Sequence, residues 1–290
     1  MFTYACPLRW SDMDAQGHVN NAAVVDFLQE ARVAFFRAGP MSRLLADGVV
    51  VVGHKVEYVA SIDYSEEPLP IQLSLESVRG ARFEIAYDLF QAGDLVVRAR
   101  TVLCPFDFES GKPTLLPDDV RGYLRSHLAD LVPLRTLEAP ALEGRGTATP
   151  VHVRWSDNDE YGHVNNTVAY DYIQQARIQA TTSWDPAMTR AGSEGSRYNW
   201  LVARQDVDYV AQMVRRAEPY LALTAPVRAG STSLTLACEI VDPLTGQVHT
   251  RGRTVLVCAD SDLSPVSLPE SVRVAVAPLL VGPDADRSTA

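Results

Sequence analysis

Val24, Phe27, Leu28, Ala31 and Phe35 recur at spacings of three and four residues, the period of a helix with one buried face. The pattern predicts a helix that begins near Ala22 and stops at Gly39-Pro40, where glycine and proline end helical pairing. An extended segment over residues 3–10 precedes it, and a loop over 41–48 follows. The period then changes to two. Residues 49–60 are rich in β-branched side chains. Ile71, Leu73 and Leu75 alternate with Gln72, Ser74 and Glu76, and Phe83, Ile85, Tyr87 and Leu89 alternate with Glu84, Ala86 and Asp88. A turn at Ala92-Gly93-Asp94 leads into a further run over 95–104. Alternation around a glycine-containing turn is a hairpin pattern. The run LPDDVRGYL at 116–124 closes the set as a short helix with proline near its start.

The same succession is then repeated. A strand over 151–155 precedes a helix over 167–182. Strand-like runs follow at 200–211, 220–227, 233–241 and 247–257, the last two joined by a turn at Pro243-Leu244-Thr245-Gly246. LPESVRVAV at 268–276 answers LPDDVRGYL. Residues 1–132 and 151–282 therefore read as two copies of one domain. A linker over 133–150, rich in Pro, Ala, Gly and Thr, joins them, and the polar tail at 283–290 is expected to be disordered. One helix with a wide apolar face and several alternating antiparallel strands bury each other most simply as an α+β unit, the sheet curled around the helix. Nothing in the pattern calls for βαβ crossovers.

The copies agree best over one stretch. RWSDMDAQGHVNNAAVVDFLQEAR at 9–32 matches RWSDNDEYGHVNNTVAYDYIQQAR at 154–177 without a gap, at an offset of 145 residues. Such a match is the mark of duplication. Asp14, His18, Asn20 and Asn21 have counterparts in Asp159, His163, Asn165 and Asn166. The residues lie between the end of a strand and the start of a helix, with Gly17 and Gly162 allowing the backbone to turn. A helix N-terminus favours negative charge and can steady an oxyanion. A carboxylate beside it can attack an acyl carbon or activate water, and a histidine can orient the substrate or move a proton. Each residue also has a plainer reading. Asn20 or Asn21 serves as a helix cap, Asp14 as a turn residue, and His18 as a donor to a backbone carbonyl. Asp12 and Asp157 are expected to bond the loop backbone, Trp10 and Trp155 to pack at the strand end, and Arg32 and Arg177 to pair with acids or extend to solvent. No third ligand accompanies Asp14 and His18, so no metal site is expected.

Composition narrows the partners. At 290 residues the chain can hold two domains with their own cores, and its 47% hydrophobic content is that of a globular protein. A net charge of -10 argues against a nucleic-acid partner. No apolar run reaches membrane-spanning length, and the first residues lack the basic and apolar regions of a signal peptide. Cys6, Cys104, Cys238 and Cys258 are scattered, as reduced thiols are, so a cytoplasmic location is expected.

RWSDMDAQGHVNN and RWSDNDEYGHVNN, each followed by an amphipathic helix, resemble the 4-hydroxybenzoyl-CoA thioesterase-like branch of the hotdog-fold superfamily. They are also similar to acyl-ACP thioesterases, which share the HVNN element. The resemblance implies two tandem hotdog domains packed as a pseudo-dimer, each a long central helix wrapped by an antiparallel sheet. It implies an acyl-CoA thioesterase without a cofactor, coenzyme A being part of the substrate. The alternatives are an acyl-ACP thioesterase, a non-catalytic acyl-CoA binding protein and a hotdog hydratase. Further association into a homo-oligomer is also open. The family's catalytic carboxylate falls on Asp14 and Asp159, and the histidine of the acyl-ACP branch on His18 and His163. Asn20, Asn21, Asn165 and Asn166 are implied as substrate-binding residues, together with Gln16 and Tyr161, which stand where that branch has an asparagine. His54 and Lys55 have no chemical match in Gln205 and Asp206. Arg79, Arg228, Arg98 and Arg100 are candidates for the phosphates of coenzyme A.

Overall fold

The computed structural model of the chain describes residues 1–185, 188 and 198–282; the tail at 283–290 lies outside them. The chain divides into two compact units, Met1–Arg135 and Thr136–Ala290.

In the first unit, strand β1 (Phe2–Cys6) and a single 3-10 turn at Trp10–Asp12 lead to the long helix α1 (Ala23–Arg37). A short helix α2 (Ser42–Asp47) follows, then β2 (Val49–Tyr58), β3 (Leu69–Arg79), β4 (Arg82–Gln91), β5 (Asp94–Asp107), the two-residue β6 (Lys112–Pro113) and α3 (Asp118–Arg125). The sheet runs in the order β1-β3-β4-β5-β2, with every pairing antiparallel. Register explains its apolar face. Ile71 pairs with Leu89, Leu73 with Tyr87 and Leu75 with Ile85, and all six are buried. Helix α1 covers this unit's core with Val24, Phe27, Leu28, Ala31, Phe35 and Phe36. Phe36 lies 6.1 Å from Phe83 between ring centroids, and Phe35 lies 5.4 Å from Phe2. Each large apolar side chain so buried contributes about 2 kcal/mol.

The second unit repeats the order as β7 (Thr147–Val151), a 3-10 turn at Trp155–Asp157, α4 (Val168–Trp184), β8 (Asn199–Tyr209), β9 (Tyr220–Ala229), β10 (Ser233–Val241), β11 (Val248–Ala259) and α5 (Glu270–Val276). Its strands run β7-β9-β10-β11-β8, the same topology as the first unit. The duplication seen in the sequence is thus a duplication of fold.

Three local differences from expectation have physical causes. The segment over 41–48 is not all loop, because Ser42–Asp47 forms a helical turn that buries Leu44. Six residues are too few to show a helical period. Strand β7 begins at Thr147, inside the stretch read as linker, and pairs with β9 from Thr147↔Thr224 to Val151↔Tyr220. Its small residues and Pro150 suit an edge strand, whose unpaired side needs no donor. Leu142, from the same stretch, is fully buried in a second small core with Leu223, Ala225, Val227, Ala237 and Val281.

Gly48 joins α2 to β2 at φ 118°, and a Cβ there would sit 2.3 Å from the backbone oxygen of Phe106. Neither the backbone nor its neighbour can yield. Gly48→Ala is expected to destabilise the protein by about 3 kcal/mol, read as a lower urea midpoint at unchanged slope.

The four cysteines are free and buried. Burial pushes the Cys6 and Cys238 thiols up to about 12 and raises those of Cys104 and Cys258. A raised thiol stays protonated at neutral pH and unreactive. Ellman's reagent at pH 8 is expected to leave the native protein unlabelled and to label four thiols after denaturation. Fast labelling of the native protein would contradict this burial.

Candidate active site

Each signature begins with a buried carboxylate that organises the loop. Asp12 is 3% exposed and accepts the Arg9 backbone N–H at 2.8 Å and the Arg9 Nε at 2.9 Å. Asp157 accepts the Arg154 N–H at 2.7 Å and the Tyr172 hydroxyl at 2.5 Å. The carbonyls of these aspartates then receive the N–H of Asn20 at 2.7 Å and Asn165 at 2.8 Å. The expected structural role of Asp12 and Asp157 is therefore realised.

The second aspartates sit at the tip of a tight turn. The Asp14 N–H donates to the His18 carbonyl at 2.8 Å, and the Gly17 N–H donates to the Asp14 carbonyl at 3.1 Å. The Asp159–His163 and Gly162–Asp159 bonds repeat these lengths at 2.8 and 3.1 Å. Gly17 and Gly162 adopt φ 83° and 78°, the left-handed region the turn requires. Bridges between Met13 and Val19, and between Asn158 and Val164, close the turns. One carboxylate oxygen of each aspartate serves the turn. Asp14 Oδ1 accepts the Gln16 N–H at 2.8 Å, and Asp159 Oδ1 accepts the N–H of Tyr161 at 3.0 Å and of His163 at 3.4 Å. Each aspartate is half-buried, and its Oδ2 accepts no hydrogen bond from the described residues. The turn reading and the catalytic reading thus divide one carboxylate between its two oxygens.

The carboxylate beside the His18 imidazole is that of Asp63, 3.9 Å from Nε2, and not Asp14. Gln16 and Tyr161 enter the turn through their backbone N–H groups. Burial first, then the charges of Glu160 and Asp159, raise the Tyr161 phenol above its usual range, so it remains a hydroxyl.

Asn20 and Asn165 prepare the helix starts. Asn20 Oδ1 accepts the Ala22 N–H at 2.9 Å and Asn165 Oδ1 the Thr167 N–H at 3.1 Å, one turn ahead of α1 and α4. The caps proper are Ala22 and Thr167, neither with a side-chain capping bond to its helix, so the asparagines cap the lead-in turn and not the helix itself. The carbonyls of Asn21 and Asn166 accept the hydroxyls of Tyr58 at 2.7 Å and Tyr209 at 2.6 Å. The Val19 N–H reaches the Ile62 carbonyl at 2.8 Å, and the Val164 N–H that of Met213 at 2.9 Å. The strand after each helix therefore pins the front of that helix. Sequence reasoning missed these tyrosines, although VEYVA at 56–60 and VDYVA at 207–211 carried the signal.

Several expectations are corrected. Trp10 and Trp155 do not pack at the strand end, being 74% and 80% exposed. The 3-10 turn buries the aspartate two residues on and faces the indole outward. Arg32 is 5% exposed, so it does not extend to solvent, and its Nη1 has no hydrogen-bond partner among the described residues. Arg100 is buried against Glu76, and Arg98 bonds Asp88 at 3.3 Å. Both are committed within the sheet, whereas Arg79 and Arg228 are exposed. His54, fully buried, bonds the Thr101 hydroxyl at 2.9 Å, and Gln205 and Asp206 are buried as well. Among the described residues no three His, Cys, Asp or Glu side chains gather as a metal site. No described helix is long and apolar enough to cross a membrane.

Comparison with known proteins agrees with this architecture. A 12:0-ACP thioesterase from Umbellularia californica superposes with a TM-score of 0.70 at 15% identity, over 89% of this chain and 97% of its own. An acyl-ACP thioesterase from Bacteroides thetaiotaomicron gives 0.65 at 15% identity, over 88% and 97%. These likenesses show the fold, two hotdog units in tandem. An uncharacterized protein of Bacillus subtilis, YsmA, is 32% identical over 110 residues, covering 37% of this chain and 68% of that protein. The sequence profile of the thioesterase-like superfamily matches residues 8–124 and again 153–276, each match spanning a signature loop, its helix and all of its sheet but the first edge strand. The chain belongs to the thioesterase-like superfamily.

Proposed function

We propose that this chain hydrolyses acyl-CoA thioesters to the free acid and coenzyme A, with Asp14 and Asp159 as the reacting carboxylates. Superfamily membership makes thioester hydrolysis the reaction class. The observation that carries the finer reading is the turn built twice. A half-buried carboxylate is fixed through Oδ1, keeps Oδ2 for chemistry, and stands just ahead of a buried helix N-terminus.

The carboxylate takes a proton from water as the water oxygen adds to the acyl carbon, or adds to that carbon itself and is released by water afterwards. In either route the carbonyl electrons move to oxygen and return as the carbon–sulfur bond breaks, and the thiolate leaves and is protonated. The N-terminal ends of α1 and α4 favour the transient oxyanion. His18 and His163, set in the same turns, orient the thioester or carry the proton to sulfur. Asn20, Asn21, Asn165 and Asn166 line the approach with Gln16 and Tyr161. No cofactor enters this scheme. The free, buried thiols suit a cytoplasmic enzyme.

The two similar plant and bacterial structures are named for acyl-ACP substrates. An acidic carrier protein would meet a chain of net charge -10, which disfavours docking, so we place coenzyme A first. Thiol release from matched acyl-CoA and acyl-ACP decides between them. Faster turnover of acyl-CoA is expected, and turnover of acyl-ACP alone would reverse the assignment. Binding of acyl-CoA without release of thiol would leave a binding protein of the same fold.

A further inference from the structure

The signature tryptophans occupy equivalent places in the two units but have unlike neighbours. Trp10 meets Tyr64 edge to face, with ring centroids 5.2 Å apart. Trp155 meets the guanidinium of Arg215, 5.9 Å from its ring centroid. Both partners come from the segment after the strand that pins the helix front. In the first unit that segment reads SIDYSEEP, with three carboxylates and no base. In the second it reads QMVRRAEP, with two arginines and one glutamate. Arg216 is already engaged, bonding Asp242 at 2.8 Å and lying 3.9 Å over the Tyr220 ring. Arg215 is exposed and, among the described residues, has no ion-pair partner. Arg154, next to Trp155, adds a second cation whose side chain is 69% exposed, although it also contacts Asp157.

An indole left 80% open to water, flanked by a guanidinium without a counter-ion, has unused capacity for two kinds of contact. A planar base can stack on the ring, and a phosphate can bond the arginine. The overall charge of -10 would repel a phosphorylated ligand elsewhere, so a local arginine beside an aromatic platform matters more here than on a basic protein. Trp155 and Asp159 are four positions apart in the chain, so their backbones lie within about 14 Å, a span that the flexible pantetheine arm of coenzyme A can bridge.

We infer that Trp155 and Arg215 form a docking site for a purine nucleotide bearing phosphates, the distal end of the coenzyme A carrier, and that the Trp10–Tyr64 pair does not. The site extends the acyl-CoA reading and rests on it for its biological meaning, but its binding can be measured separately. In the first unit the segment that brings Tyr64 to Trp10 also carries Asp63, Glu66 and Glu67, whose charges oppose phosphates. The two duplicated sites therefore differ in how they hold the carrier.

The test uses the full chain and adenosine 3′,5′-bisphosphate, followed by calorimetry. One molecule is expected to bind per chain. Trp155→Ala and Arg215→Glu should each weaken it at least about 10-fold, Trp155→Phe should retain most of the affinity, and Trp10→Ala should leave it unchanged. The matching kinetic test compares an acyl-CoA with the same acyl-pantetheine, which lacks the nucleotide. Trp155→Ala should raise KM for the first without altering kcat, and should not affect the second. No bisphosphate binding, binding indifferent to Trp155, or equal effects on both thioesters would overturn the inference. Wild-type protein that bound the bisphosphate through Trp155 yet released no thiol would sustain the docking site and refute the hydrolase reading.

Discussion

Asp157→Ala is expected to lower the stability of the second unit by about 3–5 kcal/mol. Asp157 is 4% exposed and collects the Arg154 N–H at 2.7 Å, the Tyr172 hydroxyl at 2.5 Å and the Arg154 Nε at 3.4 Å. Alanine would leave the buried Tyr172 hydroxyl and a loop N–H without acceptors, and each such orphan costs about 1–3 kcal/mol. The Tyr172 phenol is raised well above its usual range, first by burial and then by the bond to Asp157, so it stays a donor through neutral pH. The sign follows for alkaline pH. A phenol raised in the folded state contributes stability that is complete below its unfolded value of 10.0 and declines above it. Tyr172→Phe should cost only about 1 kcal/mol, since Phe27 occupies the matching place in the first unit and Asp12 is served by Arg9. Urea unfolding of both variants and the double variant gives the coupling between them. Additive losses would show that the bond contributes nothing of its own.

Replacing both Asp14 and Asp159 with asparagine is expected to reduce acyl-CoA turnover at least about 100-fold without unfolding the protein. Asparagine keeps an oxygen at the Oδ1 position, so the bonds from Gln16 and Tyr161 persist and both turns stay closed. What it removes is the charge and the basic oxygen at Oδ2. The single variants report how the work divides. Loss with Asp14→Asn alone would make the second unit a structural partner. Loss in each would give two working centres. The contrast with Asp12 and Asp157 is internal to the motif. The first acid of each Asp-x-Asp is buried and structural, and the second is half-buried with an oxygen to spare.

The fold was largely readable because its elements are long and periodic. The stripe through Val24, Leu28 and Phe35 could only be a helix against a core, and the alternation at 71–75 and 83–89 reappears as the paired buried residues of β3 and β4. The duplication then made the second unit legible from the first. What escaped was local. Six residues of α2 are too short for a period, and the Pro-containing edge strand β7 looks like a linker until its pairing with β9 is known. At the site, the spacing of Asp14, Gly17 and His18 implied a tight turn at a helix start, but spacing does not say where an imidazole points. His18 faces Asp63, a residue distant in sequence that no motif marked. The exposure of Trp10 and Trp155 was unreadable for the same reason, since a side chain in an irregular loop has no period to reveal its face. The asymmetry between Tyr64 and Arg215 emerges only when the segment after the pinning strand is seen beside each tryptophan.

The measurement closest to the central claim is thiol release from a panel of acyl-CoAs by the wild type and by the Asp14→Asn, Asp159→Asn and double variants, with folding checked by circular dichroism. Wild-type turnover on at least one acyl-CoA, lost in a folded double variant, is the predicted result. A double variant that releases thiol at the wild-type rate would contradict the account, because neither carboxylate would then take part in the chemistry.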